Sequence, residues 1–474
     1  MDLSDLSLIS DRRKIGNVLL LAAIAGLALV IRIWPLLHPG IAWAWHPDSI
    51  GYARLANGLL AGCGFTQGSR SACGIAEVQR TPGYPLFLAA LPSLRAVLGV
   101  QSVLGTVVCF VLALFAWSRW GLAAGLLTEL IAGFDLGSIM ASGSILTENL
   151  FTSIITLATL LQLVIICRDT LDVWAIAGIF SVGFLFAIAT LVRPIGQCLL
   201  AVTLLGIVPL NNISLRRKIM LSLLVVSIPI ATILGWSYRN YQQRGVWTFS
   251  TGGANVLYYS RAVNVLAYET GRGASDVLAD VVRQEGRETG APDLWSKTFD
   301  QDPREMYEKG FRILLSHPSA AALLACEGFL QICLLPPNRI GFSTFLGHRV
   351  GNAEANALVS RNILSTIRLT FASPWLIVIR SLLFYQFALN IFTFIGVGLA
   401  LCRVQEAPLP NVWLVVIPLV AAFLMLAPAA GLGEHDRYRE PAVPMLAVVA
   451  AFGWTAKPRR ATLTEMCSVQ ATDT

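Results

Sequence analysis

The chain has 474 residues, which by length alone would suit two or three soluble domains. Its composition excludes that class, because 55% of the residues are hydrophobic and only 13% are charged, whereas soluble domains carry roughly 25% charged residues. The net charge is +7, from 35 Lys and Arg against 28 Asp and Glu. Without a basic helix interleaved with aromatic residues, this excess indicates membrane anchoring rather than nucleic-acid binding. We therefore predict an all-α polytopic membrane protein.

About ten apolar runs are long enough to cross the hydrocarbon layer, which takes roughly 20 helical residues. They are 17–37, 97–117, 120–140, 149–167, 172–191, 195–211, 219–236, 379–401, 411–430 and 441–456. Basic residues cluster in alternate connections between these runs, so the positive-inside rule places both termini in the cytoplasm. These basic residues are Arg12, Arg13, Lys14, Arg119, Arg168, Arg216, Arg217, Lys218, Arg403, Lys457, Arg459 and Arg460. The first run has no small-residue cleavage signal and is predicted to be a retained span.

Two long segments then lie on the extracytoplasmic face and hold most of the polar residues. The predicted organisation is an N-terminal bundle 1–236 with a first outer loop 38–96, an outer region 237–378, C-terminal spans 379–456 and a cytoplasmic tail 457–474. Within the outer region, 304–335 is predicted as an amphipathic or interfacial helix, because its first half is charged and Pro318 interrupts it. Counting it as an eleventh span is the alternative.

The first outer loop opens with the string PDSIGYARLA, residues 47–56. Pro47 ends the preceding element, and Asp48 stands where a helix N-cap belongs, with Tyr52 following at helical spacing. One interpretation of Asp48 is therefore a structural cap. The other is functional, since a carboxylate on a rigid helix start at the membrane face can accept a proton from an incoming nucleophile.

The same loop continues with RTPGYPLFLAAL, residues 80–91. Two prolines and a glycine predict a tight turn that presents Arg80 and Tyr84 at the membrane interface. A guanidinium there can grip a phosphate through two N–H groups. The alternative is that Arg80 anchors a lipid headgroup.

Together, these two strings resemble the first extracytoplasmic loop of the GT-C glycosyltransferases, specifically the family 39 type that includes protein O-mannosyltransferases and the lipid A aminoarabinose transferase. Three shorter strings agree with family features, namely SGSILTENLFT (142–152), TLVRPIGQCLL (190–200) and HDRYREPAVPMLAVVAAFG (435–453). The resemblance implies a helical membrane bundle, capped by loops and short helices, that moves a sugar from a polyprenyl phosphate to an acceptor. On that mapping Asp48 is the general base. Ser49 stands where some relatives carry a second acid, which puts a paired carboxylate and a carboxylate-bound metal in doubt.

Displacing a sugar from a phosphate also requires cations that stabilise the charge on the leaving phosphate. Four arginines at or near the predicted outer boundary are candidates for this role, and snorkelling or ion pairing is the alternative for each. They are Arg80, Arg193, Arg239 and Arg437. The remaining substrate-binding candidates are Tyr52, Tyr84, Glu148 and Tyr438.

Acidic residues in or beside predicted spans are also functional candidates, because burying a charge in the membrane is costly. Glu129 falls mid-span, Asp135 near the outer end of the third span and Glu148 just before the fourth. A pairing of Asp135 or Glu148 with Arg193 or Arg437 would neutralise both partners. A direct substrate role is the alternative, above all for Glu148.

The nine cysteines include no CxxC pair, which argues against a zinc ribbon or a redox motif. Cys63 and Cys73 lie in the first outer loop, where oxidation is favoured, and are predicted to form a disulfide. No cofactor is firmly predicted; a divalent metal held by His46 and His435 is an alternative that lacks an identifiable carboxylate partner. The glycines and tyrosines of 251–271 are typical of either a lid or an ordinary loop.

The leading hypothesis is a bacterial inner-membrane glycosyltransferase whose site faces the periplasm or cell exterior. Its expected partners are membrane lipids, a polyprenyl-phosphate sugar donor and an envelope glycan, lipid or protein acceptor. The alternative is a transporter or lipid flippase. Transporters gather polar groups near the bilayer midplane and often show repeated halves. This sequence instead places them in two outer segments and shows no internal repeat.

Overall fold

A computed structural model describes residues 12–37, 44–67, 73–168, 172–210, 213–289, 302–336, 374–405, 407–429 and 435–456. The protein is an all-α polytopic membrane protein. The β-structure of the described residues consists of an isolated antiparallel β-bridge between Thr66 and Ala76. All other regular structure described is helical.

The helices before residue 245 include the long apolar helices of the N-terminal half. They are α1 Arg12–Ile33, α2 Pro47–Leu60, α3 Gly83–Ala90, α4 Leu94–Trp120, α5 Leu122–Gly133, α6 Leu136–Ser142, α7 Glu148–Ile166, α8 Val173–Val192, α9 Leu199–Leu205 and α10 Leu215–Arg244. Short 3₁₀ turns extend α1 at Trp34–Leu37 and precede α9 at Pro194–Cys198.

The helices after residue 245 begin in the second outer segment and end in the centre of the bundle. They are α11 Gly252–Asn255, α12 Val263–Thr270, α13 Ala274–Thr289, α14 Pro303–Ser316, α15 Pro318–Leu334, α16 Pro374–Val404, α17 Leu409–Leu426, α18 His435–Arg439 and α19 Val443–Thr455. A π-helical stretch, Val256–Ala262, joins α11 to α12, and 3₁₀ turns lie at Ala427–Ala429 and Glu440–Ala442.

Several helix ends follow from local side-chain chemistry. The side chain of Ser93 accepts a hydrogen bond from a backbone N–H at the start of α4, and the side chain of Asp172 does the same for α8. Helix α10 ends at Gly245, whose φ of 69° lies in the left-handed region that glycine adopts without strain. Because α10 runs to Arg244, the predicted boundary at residue 236 falls inside this helix.

Seven helices in the described part of the chain are long and apolar enough to cross a membrane, or nine if each of two bent pairs counts as one crossing. They match seven of the predicted runs, and the other three differ. The run 120–140 is α5 and α6, bent by 57° at a break, and 195–211 contains only a short helix, Pro194–Leu205. The run 441–456 contains α19, with 13 residues.

Helix α19 lies at the centre of the bundle. Every residue from Val443 to Gly453 is buried, and the helix packs against α4, α5, α16 and α17. A Cβ added to Gly453 would lie 1.8 Å from the carbonyl oxygen of Gly396. The backbones of α16 and α19 therefore touch directly, a contact that small residues allow between membrane helices.

The segment predicted as an interfacial helix is broken at Pro318. Helices α14 and α15 meet there at an angle of 99°, so the segment does not form one straight crossing. The charged half is α14 and the apolar half is α15. Asn390 of α16 donates a hydrogen bond of 3.0 Å to the carbonyl of Leu334, which ties the end of α15 to the bundle.

The first outer loop is held at three points. Cys63 and Cys73 form a disulfide with a Cα–Cα distance of 5.2 Å. The bridge between Thr66 and Ala76 lies next to it. Arg239 of α10 donates to the carbonyl oxygens of Phe65 and Glu77, on either side of that bridge. These contacts fix the path of the chain that leads to Arg80.

Candidate functional site

Asp48 lies in the first turn of α2, one position after Pro47. The N-cap is His46 instead, whose backbone N–H donates to the hydroxyl of Ser49 at 2.9 Å. The interpretation of Asp48 as the N-cap was therefore wrong, because Pro47 already occupies the first helical position. Ser49 in turn donates to the carbonyl of Ile145 at 2.9 Å. Ser49 thus anchors α2 to the loop before α7.

The Arg80 guanidinium lies against α2, beside Gly51 and Tyr52. Its Nη2 is 3.5 Å from Asp48 Oδ1, and its guanidinium carbon is 5.4 Å from the centre of the Tyr52 ring. The space for the guanidinium exists because residue 51 is glycine: a Cβ there would lie 2.7 Å from Arg80 Cζ. Behind Arg80, Glu77 Oε2 lies 3.7 Å from Nη1.

Arg437 joins α2 to the start of α7. Its Nη2 donates to Asp48 Oδ2 at 2.7 Å, and its Nε donates to Glu148 Oε1. Arg193, at the end of α8, approaches the same Glu148 oxygen to 2.8 Å. The pairing predicted for Glu148 is present with both candidate arginines. Asp48 and Arg437 are 389 positions apart in the chain.

Six charges therefore alternate in one row: Glu77, Arg80, Asp48, Arg437, Glu148 and Arg193. The three acids balance the three arginines. The side chains of Glu77 and Glu148 are 0% and 1% exposed, whereas that of Asp48 is 39% exposed. Asp48 is thus the carboxylate of this row that a ligand can reach most readily.

The three candidate tyrosines occupy different positions around the row. The guanidinium of Arg80 lies over the Tyr52 ring. The centre of the Tyr438 ring lies 5.8 Å from the guanidinium carbon of Arg437 and 6.0 Å from that of Arg193. Tyr84 is fully buried, and its hydroxyl donates to Gln101 at 2.9 Å. Its surroundings give it a packing role.

Burial raises the pKa of the Tyr52 phenol, and the negative charge of Asp48 raises it further. Tyr52 is therefore protonated at neutral pH and able to donate a hydrogen bond. Its ring also contacts the Tyr84 ring edge to face, with centroids 5.2 Å apart. These contacts fix the phenol beside the Asp48 and Arg80 side chains.

Arg239 contacts this row only at its Glu77 end, through the backbone carbonyl oxygen of that residue. Besides the two loop carbonyls, it contacts Asn240, and its guanidinium carbon lies 4.9 Å from the Trp236 ring centre. It supports the first outer loop from α10 through these backbone contacts.

Asp135 pairs with Arg439 and not with the predicted partners Arg193 or Arg437. Its Oδ2 lies 3.3 Å from Arg439 Nη2 and accepts from Gln386 at 2.6 Å. Its Oδ1 caps α6 by accepting from the N–H of Ser138 at 2.8 Å. Glu129 is buried in α5, and its carboxylate has no hydrogen-bond partner among the described residues.

Glu77, in the row, and Arg261, near it, gave no clear signal in the sequence. Glu77 accepts from the backbone N–H groups of Gln79 and Arg80, at 2.6 and 3.1 Å, and so fixes the turn that carries Arg80. Arg261, in the π-helical stretch, donates to the carbonyl of Pro428 and lies within electrostatic range of Tyr438. A hydrogen bond from Ser250 to the carbonyl of Gln79 at 2.5 Å attaches the second outer segment to the same turn.

The described residues do not fit a resident metal ion. No cluster of three or more His, Cys, Asp or Glu side chains with suitable spacing occurs among them. Asp48 lies between two guanidiniums, which would repel a cation. His46 is instead 3.2 Å from the hydroxyl of Ser144, while the side chain of His435 lies outside the described set.

The arrangement is suited to bind an anion and to accept a proton. Arg80 and Arg437 present N–H groups from two sides towards one exposed carboxylate, and guanidiniums held in this way also bind phosphate oxygens. The carboxylate itself can take a proton from a hydroxyl or an amine within hydrogen-bond reach. Both functions therefore meet at Asp48.

No protein-family model matches this chain, and no curated protein matches it. Among solved structures, the chain is similar to the crystal structure of ArnT from Cupriavidus metallidurans bound to undecaprenyl phosphate. The two chains are 12% identical with a TM-score of 0.39, and the likeness covers 92% of this chain and 77% of that one. At that identity and TM-score the likeness bears on neither activity nor residue roles, which rest on the contacts described above.

Proposed function

We propose that this protein is an integral membrane glycosyltransferase that moves a sugar from a polyprenyl-phosphate donor to an acceptor outside the cytoplasm. The observation that carries the proposal is the exposed Asp48 carboxylate, contacted by Arg80 on one oxygen and by Arg437 on the other. It combines a proton acceptor with two phosphate-binding groups in one place. The loop strings that contain Asp48 and Arg80 supply the resemblance that names the donor class.

In the proposed reaction, an acceptor hydroxyl or amine attacks the anomeric carbon of the sugar. Its proton passes to Asp48, a new bond forms at the anomeric carbon, and the bond from that carbon to the phosphate oxygen breaks. The electron pair of the broken bond stays on the phosphate. Arg80 and Arg437 stabilise the charge that develops there, and their fixed positions lower the barrier because no reorganisation is needed.

The other charged residues of the row hold these two arginines in place. Glu77 lies behind Arg80, and Glu148 accepts a hydrogen bond from Nε of Arg437, whose Nη2 contacts Asp48. Arg193 balances the charge of Glu148, and its 15% exposed side chain is the third cation available to the phosphate.

We propose the bacterial inner membrane as the location, with the site on the periplasmic or outer face. An envelope glycan, a lipid and a protein are the acceptor classes to be tested.

The proposal is tested by transfer from a panel of radiolabelled polyprenyl-phosphate sugars in membranes that contain the wild type or Asp48→Asn. The variant keeps the shape of the side chain but cannot accept the proton, so the transfer rate should fall by about two or more orders of magnitude. Asp280→Asn is the matched control, because Asp280 also contacts two arginines yet lies on the exposed surface of α13. It should transfer at the wild-type rate.

Abundance and thermal unfolding of each variant are measured in parallel. Failure of the wild type to consume any donor would contradict the proposal, as would full activity of a folded Asp48→Asn. Movement of a labelled lipid across the bilayer without sugar transfer would instead support the transporter or flippase alternative.

A further inference from the structure

Asp48 occupies the place between Arg80 and Arg437 with one carboxylate oxygen for each arginine. The distances are 3.5 Å to Arg80 Nη2 and 2.7 Å to Arg437 Nη2. The phosphodiester of the donor can offer its two non-bridging oxygens to guanidinium N–H groups in the same manner. The proposed base and the leaving phosphate therefore compete for the same two arginines.

We propose that Asp48 closes this phosphate site in the absence of donor, and that the donor phosphate must displace it before Asp48 can act as a base. This inference rests on the proposed function. It adds an order to the reaction: the donor binds first, and its phosphate releases the carboxylate that then activates the acceptor.

Asp48 is the carboxylate that the phosphate displaces, because the other two carboxylates of the row are held more firmly. Glu77 and Glu148 are buried, and Glu77 accepts two backbone N–H groups in addition to its contact with Arg80. Asp48 is 39% exposed. When it leaves, each arginine keeps one buried carboxylate beside it, so both guanidiniums stay in position to bind the phosphate.

The charges favour exchange over simple addition. The row contains three carboxylates and three guanidiniums, so it is neutral before the donor arrives. A phosphate placed beside Asp48 without displacing it would bring like charges together, which is unfavourable in a partly buried site. Moving the exposed carboxylate away removes this repulsion and frees its oxygens to accept the acceptor's proton.

Binding of a polyprenyl monophosphate to the purified full-length protein in detergent tests the exchange at equilibrium. Asp48→Asn removes the competing charge and should bind the probe about 3- to 20-fold more tightly than the wild type, the range expected when two partly exposed ion pairs no longer oppose binding. Arg437→Gln should bind it more weakly than the wild type. The control Asp280→Asn should match the wild type.

Inorganic phosphate is titrated in a second arm to separate the headgroup from the lipid chain. Exchange at the arginine pair predicts that Asp48→Asn also strengthens binding of this probe, although its affinity is lower in every variant. An increase confined to the polyprenyl probe would place the effect at the lipid chain and would overturn the exchange.

The outcomes separate this inference from the proposed function. Equal or weaker probe binding by Asp48→Asn, with loss of binding in Arg437→Gln, would overturn the exchange and leave the phosphate site intact. Absence of binding in both the wild type and Asp48→Asn would overturn the phosphate site itself. Tighter binding by Asp48→Asn together with lost transfer is the result that supports both.

Discussion

Arg437 contacts two carboxylates at once, and this depends on the shape of its side chain. Its Nη2 reaches Asp48 and its Nε reaches Glu148. A planar guanidinium can direct N–H groups to two acceptors from fixed positions, whereas a lysine offers a single ammonium on a flexible stem. Charge alone is therefore not sufficient at this position.

We predict that Arg437→Lys lowers kcat/KM for the donor by about tenfold or more, because one ammonium cannot hold Glu148 and the phosphate together. Sugar transfer over a range of donor concentrations measures the effect. Arg168→Lys is the matched control, since Arg168 forms a surface pair with Asp172. Wild-type activity of Arg437→Lys would show that a point charge suffices.

Gly51 offers a way to move Arg80 without changing its charge. A methyl group at residue 51 would meet the Arg80 guanidinium, which lies at the flexible end of its side chain and can shift. We therefore predict that Gly51→Ala reduces transfer by about tenfold or more, because small displacements of positioning groups are costly to catalysis. The melting temperature should fall little, since alanine favours the helix by up to about 1 kcal/mol.

The matched control for Gly51→Ala is Gly99→Ala in α4, where an added methyl group would meet no atom within 4 Å. Transfer and melting temperature are measured for both variants. Unchanged transfer in a folded Gly51→Ala would show that the observed position of Arg80 is not required.

At the residue scale, the sequence named five charged residues of the row as candidates and predicted the pairing of Glu148, but it singled out neither Glu77 nor the contacts of Asp48. The five are Asp48, Arg80, Glu148, Arg193 and Arg437. Asp48 and Arg80 were found because they belong to recognisable strings in one loop. The contact of Asp48 with Arg437 spans 389 positions, and nothing local encodes it. Arg239 was placed with the phosphate-binding arginines because position alone does not reveal that loop carbonyls take up its N–H groups.

At the element scale, the ion pair of Asp135 and Arg439 joins parts of the bundle near the site. Both side chains are almost fully buried, at 3% and 2% exposure. Arg439 also donates to the carbonyl of Leu335 at 2.7 Å, and Asp135 accepts from Gln386 of α16. Since Arg437 and Arg439 share α18, this pair fixes the short helix that delivers Arg437 to Asp48.

We predict that Asp135→Asn destabilises the protein by about 3–5 kcal/mol, because it leaves the buried Arg439 charge without its partner. Thermal unfolding in detergent should show a lower melting temperature. Asp172→Asn, at an exposed pair, is the control and should change stability by less than about 1 kcal/mol. Unfolding of Asp135→Asn at the wild-type temperature would contradict a structural role for the pair.

The same residues explain where the predicted runs are not single straight helices. The apolar composition of 120–140 predicted one membrane crossing. Asp135 instead caps the new helix α6 inside this run, and the chain bends by 57° between α5 and α6. The last run is short because Arg439 and Glu440 precede α19 and are themselves buried. The mean hydropathy of a run of residues does not detect a polar contact that bends the backbone within it.

At the scale of the whole molecule, the distribution of charge predicts which parts face the same side. The positive-inside rule places the short connection before α8 in the cytoplasm and the second outer segment on the opposite face. Asp172 and Asp280 report on these two regions, and both are surface residues.

We expect Asp280→Cys to react with a membrane-impermeant maleimide in intact cells, and Asp172→Cys to react only after permeabilisation. The physical reason is the energetic cost of moving the basic connections across the membrane. Labelling is compared with the parent protein, whose native cysteines give the background. The reverse pattern would show that the predicted orientation is inverted.

The central position of α19, with α18 directly before it, has a consequence for how the protein is made. Ribosomes deliver Asp48 to the membrane early and Arg437 almost four hundred residues later. Throughout that interval the nascent chain contains Asp48 and Arg80 but lacks Arg437, the second arginine that contacts Asp48 in the completed protein. Chains that stall before α18, or proteolytic fragments that lack it, therefore lack one side of the proposed phosphate site, and we expect them to show no sugar transfer.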